Sequence, residues 1–118
     1  MSENLISDND DIVKEWLNYF DNDPDFTIVT FEFVKTLPNY IQKLEKFFVE
    51  KNQSELQKIA HSLKGSSGSV GAFDMCELFT QMDLELKKEK PDYNFVNDLF
   101  CQIKTIYNKI PKKYFEEA

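Results

Sequence analysis

One histidine, His61, stands in a run that also holds every glycine of the chain: His61-Ser62-Leu63-Lys64-Gly65-Ser66-Ser67-Gly68-Ser69-Val70-Gly71. A neutral imidazole is a nucleophile near physiological pH. Two lysines flank it at three residues either side, Lys58 and Lys64. A nearby ammonium disfavours protonation of an imidazole, so Lys64 is expected to help keep His61 in its nucleophilic form. Acid–base catalysis on a bound substrate would need a second catalytic group and a pocket, whereas glycines and lysines surround this histidine. No Gly-x-x-x-x-Gly-Lys loop, carboxylate cluster for a metal or nucleotide-binding pattern accompanies it.

The run lies where the sequence asks for a helix. Leu56, Ile59, Ala60, Leu63, Ser67 and Val70 recur at steps of three and four and draw one apolar stripe from Ser54 to about Val70. Ser54 and Gln57 read as a capping box at its start. At about 100° per residue His61 lies roughly 150° from the centre of the stripe and so faces solvent. Gly65 and Gly68 fall on the same outward face. Each costs a helix about 1 kcal/mol relative to alanine. Their use is clearance, because another protein's concave site can close over an imidazole with no side chains beside it. Gly71 reads as a left-handed helix stop. A lone helical histidine is most often an ordinary residue, and the two glycines are what set this one apart. Ser66 and Ser67 read as small residues that let helices approach, with Ser67 buried. Gln57 and Lys58, within one turn of His61, read as solvated residues at the rim of a docking surface.

The rest of the chain must hold that helix. Its 118 residues, 42% hydrophobic and 30% charged, suit one globular domain spanning 1–118, with 1–8 a flexible tail. Ile12, Val13, Trp16, Leu17, Tyr19 and Phe20 make a short amphipathic leader helix, capped from Asp8 to Asp11, and Asp21 to Asp25 breaks it around Pro24. Phe26, Val29, Phe33, Leu37, Ile41, Leu44 and Phe48 keep one phase across Pro38, which favours a single kinked helix about 40 Å long over two helices. A further helix runs from about Phe73 to Lys88 on Met75, Leu78, Phe79, Met82 and Leu86. The last carries Phe95, Val96, Leu99, Phe100, Ile103, Ile106, Tyr107 and Ile110 up to Pro111, and Tyr114 and Phe115 can fold back. Short connections make neighbours antiparallel, giving an all-α, up-down-up-down four-helix bundle with an additional short N-terminal helix. Lys87 and Lys88 read as end-of-helix charge first and as a partner contact second.

Composition excludes several classes. The net charge is −7 and every basic residue is lysine, so the arginine fork that reads bases and phosphates is missing and nucleic acid is not an expected partner. Met1 to Asp11 is acidic and polar, unlike a signal or transit peptide, and no run approaches membrane-spanning length. Cys76 and Cys101 are too few and too far apart for a metal pattern; two reduced core thiols in a cytoplasmic or nuclear protein are expected.

Against this background the segment from Ala60 to Asp83 resembles the signature of histidine-containing phosphotransfer domains. Ala60 precedes His61-x-Leu63-Lys64-Gly65-Ser66-Ser67, Gly71 and Ala72 follow, and then comes the rhythm Met75, Leu78, Met82. The Leu37-Pro38 helix and the amphipathic leader also look like this family, most of all its free-standing eukaryotic members. Asp83 stands where the family often has glutamate, a change expected to affect packing or an end charge more than chemistry. The resemblance implies a phosphorelay intermediate without kinase activity. His61 would accept a phosphoryl group from a receiver-domain phosphoaspartate and pass it to another receiver aspartate. Lys64 would screen the phosphate, and Gly65 would provide clearance. Ile12, Val13 and Trp16 read first as core cover, and their outer edge, with Gln57, Lys58 and Gly68, would contribute to docking. Response-regulator receivers and a hybrid sensor histidine kinase are the implied partners, any magnesium belongs to the receiver, and a monomer keeps the nucleophile open. The alternative is a helical module that binds receivers without carrying phosphate.

Overall fold

The computed structural model describes residues 11–116. The expected flexible tail at 1–8 and the caps expected at Asp8 to Asp10 lie outside the described residues. Six helices follow one another: α1 (Ile12–Asn18), α2 (Pro24–Val49), α3 (Gln53–Ser69), α4 (Phe73–Leu86), α5 (Tyr93–Tyr107) and α6 (Lys113–Glu116). No strand occurs among the described residues. Helices α2 to α5 form the four-helix core, with α3 packed most extensively on α4. Cross-helix partners run in opposite senses, with His61 beside Asp83 and Gly68 beside Cys76, so α3 and α4 are antiparallel.

The starts and stops are set locally. Asp23 caps α2 and Pro24 opens it, where proline's missing amide costs nothing. The helix then continues through Pro38 for 26 residues, settling the choice between one helix and two. Its buried face differs from expectation near the start. Thr30 and Val34 are buried with Phe33 and Leu37, whereas Phe26 and Val29 are exposed. The Thr30 hydroxyl is satisfied within the helix, donating to the Phe26 carbonyl at 2.8 Å. This end of α2 also meets α1 and α6, and the Phe31 and Tyr114 rings pack 5.7 Å apart, so its buried face is wider than a single stripe.

Helix α3 starts differently from the capping-box expectation. Asn52 is the N-cap, its side-chain oxygen accepting from Glu55 N at 3.2 Å. Gln57 is drawn to a partner on α4 and does not reach back. Gln53 donates to the carbonyls of Leu86 and Lys88 at 2.7 and 2.8 Å, satisfying the end of α4. Just past the end of α3 at Ser69, Gly71 has a φ of +82°, the left-handed conformation expected of it.

The N-terminal helix lies on the core with Ile12, Val13, Trp16 and Leu17 buried. Asp11 caps α1 through Val13 N and Lys14 N, and its second carboxylate oxygen accepts from the Tyr114 hydroxyl at 2.7 Å. The C-terminal segment therefore does fold back, and it pins the start of the chain's first helix. Both cysteines are free thiols, but they are not core residues: Cys76 is half-buried and Cys101 exposed. The buried face of α5 is Val96, Leu99, Phe100 and Ile103, which turns the neighbouring position 101 outward.

Candidate functional site

Helix α3 presents His61 outward with 61% of its side chain exposed. One turn on, a Cβ added at Gly65 would meet nothing within 4 Å. The imidazole thus stands on an open stretch of helix. The face toward α4 is different. Gln57, His61 and Lys64 lie at successive turns of α3, and Asp83 and Lys87 lie one turn apart on α4. Their side chains converge on the Asp83 carboxylate, which is 1% exposed.

Oδ2 of that carboxylate lies 3.4 Å from His61 Nδ1, 3.1 Å from Lys64 Nζ and 3.2 Å from Lys87 Nζ. Oδ1 accepts from Gln57 Nε2 at 2.7 Å. Burial pushes the Asp83 carboxyl up, but the bonds from Gln57, Lys64, Lys87 and His61 together outweigh it and hold the group well below the usual carboxylate range. The centre is a fixed negative charge with two ammonium groups and an imidazole around it. A carboxylate facing Nδ1 favours the tautomer with its proton there, leaving the Nε2 lone pair available on the exposed side of the ring.

Small residues line α3 where it is buried, and one of them meets α4 directly. Ala60 and Ser67 are fully buried, and the Ser67 hydroxyl is spent on the Leu63 carbonyl of its own helix at 2.6 Å. A Cβ at Gly68 would stand 3.3 Å from Cys76 Sγ. Contrary to the expectation from its helical angle, Gly68 therefore does not belong to the clearance around His61. It is a contact point between helices, because α4 crosses α3 closely at this end.

Other expected site residues separate in the same way. Lys64 is at the site. Lys58 is 68% exposed and pairs with Glu55 at 3.5 Å, away from the Asp83 cluster. Gln57 is half-buried and turned into the cluster, so it is not a solvated rim residue. Ile12, Val13 and Trp16 offer almost no surface for docking, being 8%, 0% and 2% exposed. Their side chains fill the core, and the Trp16 indole N–H donates to Asp74 at 3.3 Å. Exposed aromatic surface at this end comes from Tyr19 and Phe73, packed edge to face with centroids 4.6 Å apart.

Two members of the cluster carried little weight in the sequence. In the sequence Asp83 reads as a matter of packing or end charge, and Lys87 as an end-of-helix lysine first. The signal that could have found them is an acid between Met82 and Leu86 on an inward face, with a lysine at i+4. A charge in that position requires partners, and the antiparallel register supplies His61. Lys88, by contrast, is spent on Glu85 at 2.9 Å.

Among the described residues no group of three or more His, Cys, Asp or Glu side chains is placed to hold a metal ion. No described helix is long and apolar enough to cross a membrane. The family model described as the Hpt domain matches residues 31–109, from within α2 past the end of α5 and including the whole Asp83 cluster. No curated protein and no solved structure matches the chain.

Proposed function

The chain belongs to the Hpt domain family, and from that premise we propose that His61 is its phosphoacceptor, with Asp83, Lys64 and Gly65 serving that role. The family's function is histidine phosphotransfer in two-component signalling, by domains that carry phosphate without kinase machinery of their own and that interact with receiver domains and histidine kinases. The observation that carries the assignment is a histidine exposed on one side and held at Nδ1 by a buried carboxylate on the other.

The chemistry follows from that arrangement. Nε2 attacks the phosphorus of a receiver phosphoaspartate; the N–P bond forms as the aspartyl O–P bond breaks, and the receiver recovers its carboxylate. Attack leaves positive charge on the ring, with the remaining proton on Nδ1 facing Asp83. The carboxylate stabilises that charge, and the cationic ring is also a good leaving group for transfer to a second receiver aspartate. Lys64 and Lys87 counter the charge of the incoming phosphoryl group. Transfer of this kind depends on positioning and electrostatics more than on covalent help from the protein. Gly65 leaves room for the receiver's active site to close over the ring, and any magnesium required belongs to the receiver.

On this reading the chain is a single domain and a monomer between a hybrid sensor kinase and response regulators. Its free thiols suit a reducing compartment, the cytoplasm or the nucleus. The test is to mix the protein with a radiophosphorylated receiver and follow label onto wild type and His61→Gln. Acid-labile, base-stable label on wild type alone is expected. Label on the variant would move the site elsewhere, and no label on wild type from several unrelated receivers would favour a docking module that carries no phosphate.

A further inference from the structure

The Asp83 carboxylate is shared unevenly. Oδ2 gathers His61, Lys64 and Lys87 within 3.4 Å. Oδ1 takes the Gln57 amide at 2.7 Å, the shortest of the four contacts and the only one from a neutral donor with no titratable proton. Gln57 is on the same helix as His61, one turn earlier, so one rigid element delivers both the ring and the amide to the two oxygens of one carboxylate.

We propose that Gln57 is a positioning residue for the phosphoacceptor: by occupying Oδ1 with a neutral donor it fixes the plane of the Asp83 carboxylate and keeps Oδ2, with both ammonium groups, turned toward His61. The inference rests on the reading of His61 and Asp83 given above. A buried carboxylate oxygen without a donor is costly, so an empty Oδ1 draws in the nearest one. The donors at hand are the ammonium groups of Lys64 and Lys87, already on Oδ2, the second on a side chain that is half-exposed. Either would bridge the two oxygens, which turns the carboxylate and takes positive charge away from the ring. A neutral amide on Oδ1 prevents this without adding charge. The roles open to Gln57 at the surface do not compete, since helix capping is performed by Asn52 and the amide points into the bundle.

The test combines two readouts on wild type, Gln57→Leu, Asp83→Asn and the double variant, with Gln57→Met as a second replacement of similar length. Nitrogen-15 shifts of His61 report the ring tautomer, and single-turnover transfer from a radiophosphorylated receiver reports the rate at saturation and the half-saturating receiver concentration. Gln57→Leu and Gln57→Met are expected to shift the ring away from the Nδ1–H tautomer and to slow saturated transfer roughly tenfold, with half-saturation unchanged. In the Asp83→Asn background the Gln57 substitution is expected to add nothing, because its effect acts through that carboxylate. An unchanged tautomer and rate, or effects that multiply in the double variant, would overturn the proposal. A raised half-saturation with an unchanged maximal rate would make Gln57 a docking contact instead. Wild-type tautomer and rate in Asp83→Asn would remove the underlying reading of Asp83, an outcome visible in that single variant alone.

Discussion

A methyl group added at Gly65 meets open space, and one added three residues later at Gly68 stands 3.3 Å from Cys76 Sγ. At Gly71, three residues further, it would lie 2.7 Å from the Trp16 carbonyl oxygen. Along these two turns of α3 the helix passes from a bare face to a helix–helix contact and then to a tight junction with α1. The three glycines share a composition signal but not a purpose. Angular position on a helix says which way a residue points, whereas what stands there depends on how the neighbouring helix crosses. Around His61 the space toward α4 is filled by polar side chains, whereas Gly68 meets Cys76 of α4 and Gly71 meets Trp16, Tyr19 and Phe20.

The sharpest way to break this contrast is at Gly65. Gly65→Gln is expected to reduce phosphoryl transfer by at least roughly a hundredfold through misplacement of the partner, while raising stability by up to about 1 kcal/mol because the helix loses a glycine. Normal transfer with unchanged thermal unfolding would refute clearance as its role. At the other end, Gly71→Ala forces a side chain into a left-handed backbone and against the Trp16 carbonyl. A loss of about 3 kcal/mol in urea unfolding is expected, and a loss below a third of that would mean the junction yields easily.

Between the two ends lies Asp83. Asp83→Asn removes the charge that two ammonium groups and the ring share, and about 2 kcal/mol of stability should go with it at neutral pH. The folded carboxyl titrates below its usual range, so its contribution is full above the unfolded value of about 4 and is lost as pH falls through the folded value. The stability gap between wild type and variant should therefore be level from neutral pH down to about pH 5 and narrow below about pH 4; a gap that widens on acidification would contradict the cluster. The smallest effect is expected for Gly68→Ala, within about 1 kcal/mol, because the gain in helix propensity is set against crowding of Cys76. A large loss of transfer in that variant would return Gly68 to the docking surface.

Most of the architecture was legible in the sequence because helical periodicity and its punctuation are local. The unbroken phase of Phe33, Leu37, Ile41 and Leu44 carried α2 across Pro38, and Gly71 marked the end of α3 through a backbone conformation only glycine adopts easily. The misreadings arose where a residue's partner comes from a distant segment. Ser54 and Gln57 fit a capping box, yet Asn52 caps the helix and Gln57 turns to α4. Ile12, Val13 and Trp16 read first as core cover, which they are, but they are sealed so completely that no outer edge is left for docking.

By itself the sequence determined that His61 faces outward on a helix of a small all-α domain, since solvent exposure on an amphipathic helix follows from angle alone. Only the tertiary structure decided what the other side of the ring meets. The separation of 22 residues between His61 and Asp83 carries no local signal, and it becomes a 3.4 Å contact through the antiparallel register and close packing of α3 on α4. That packing turns an acid on a buried face into the centre of the site, because a charge withdrawn from water must find its partners within the fold.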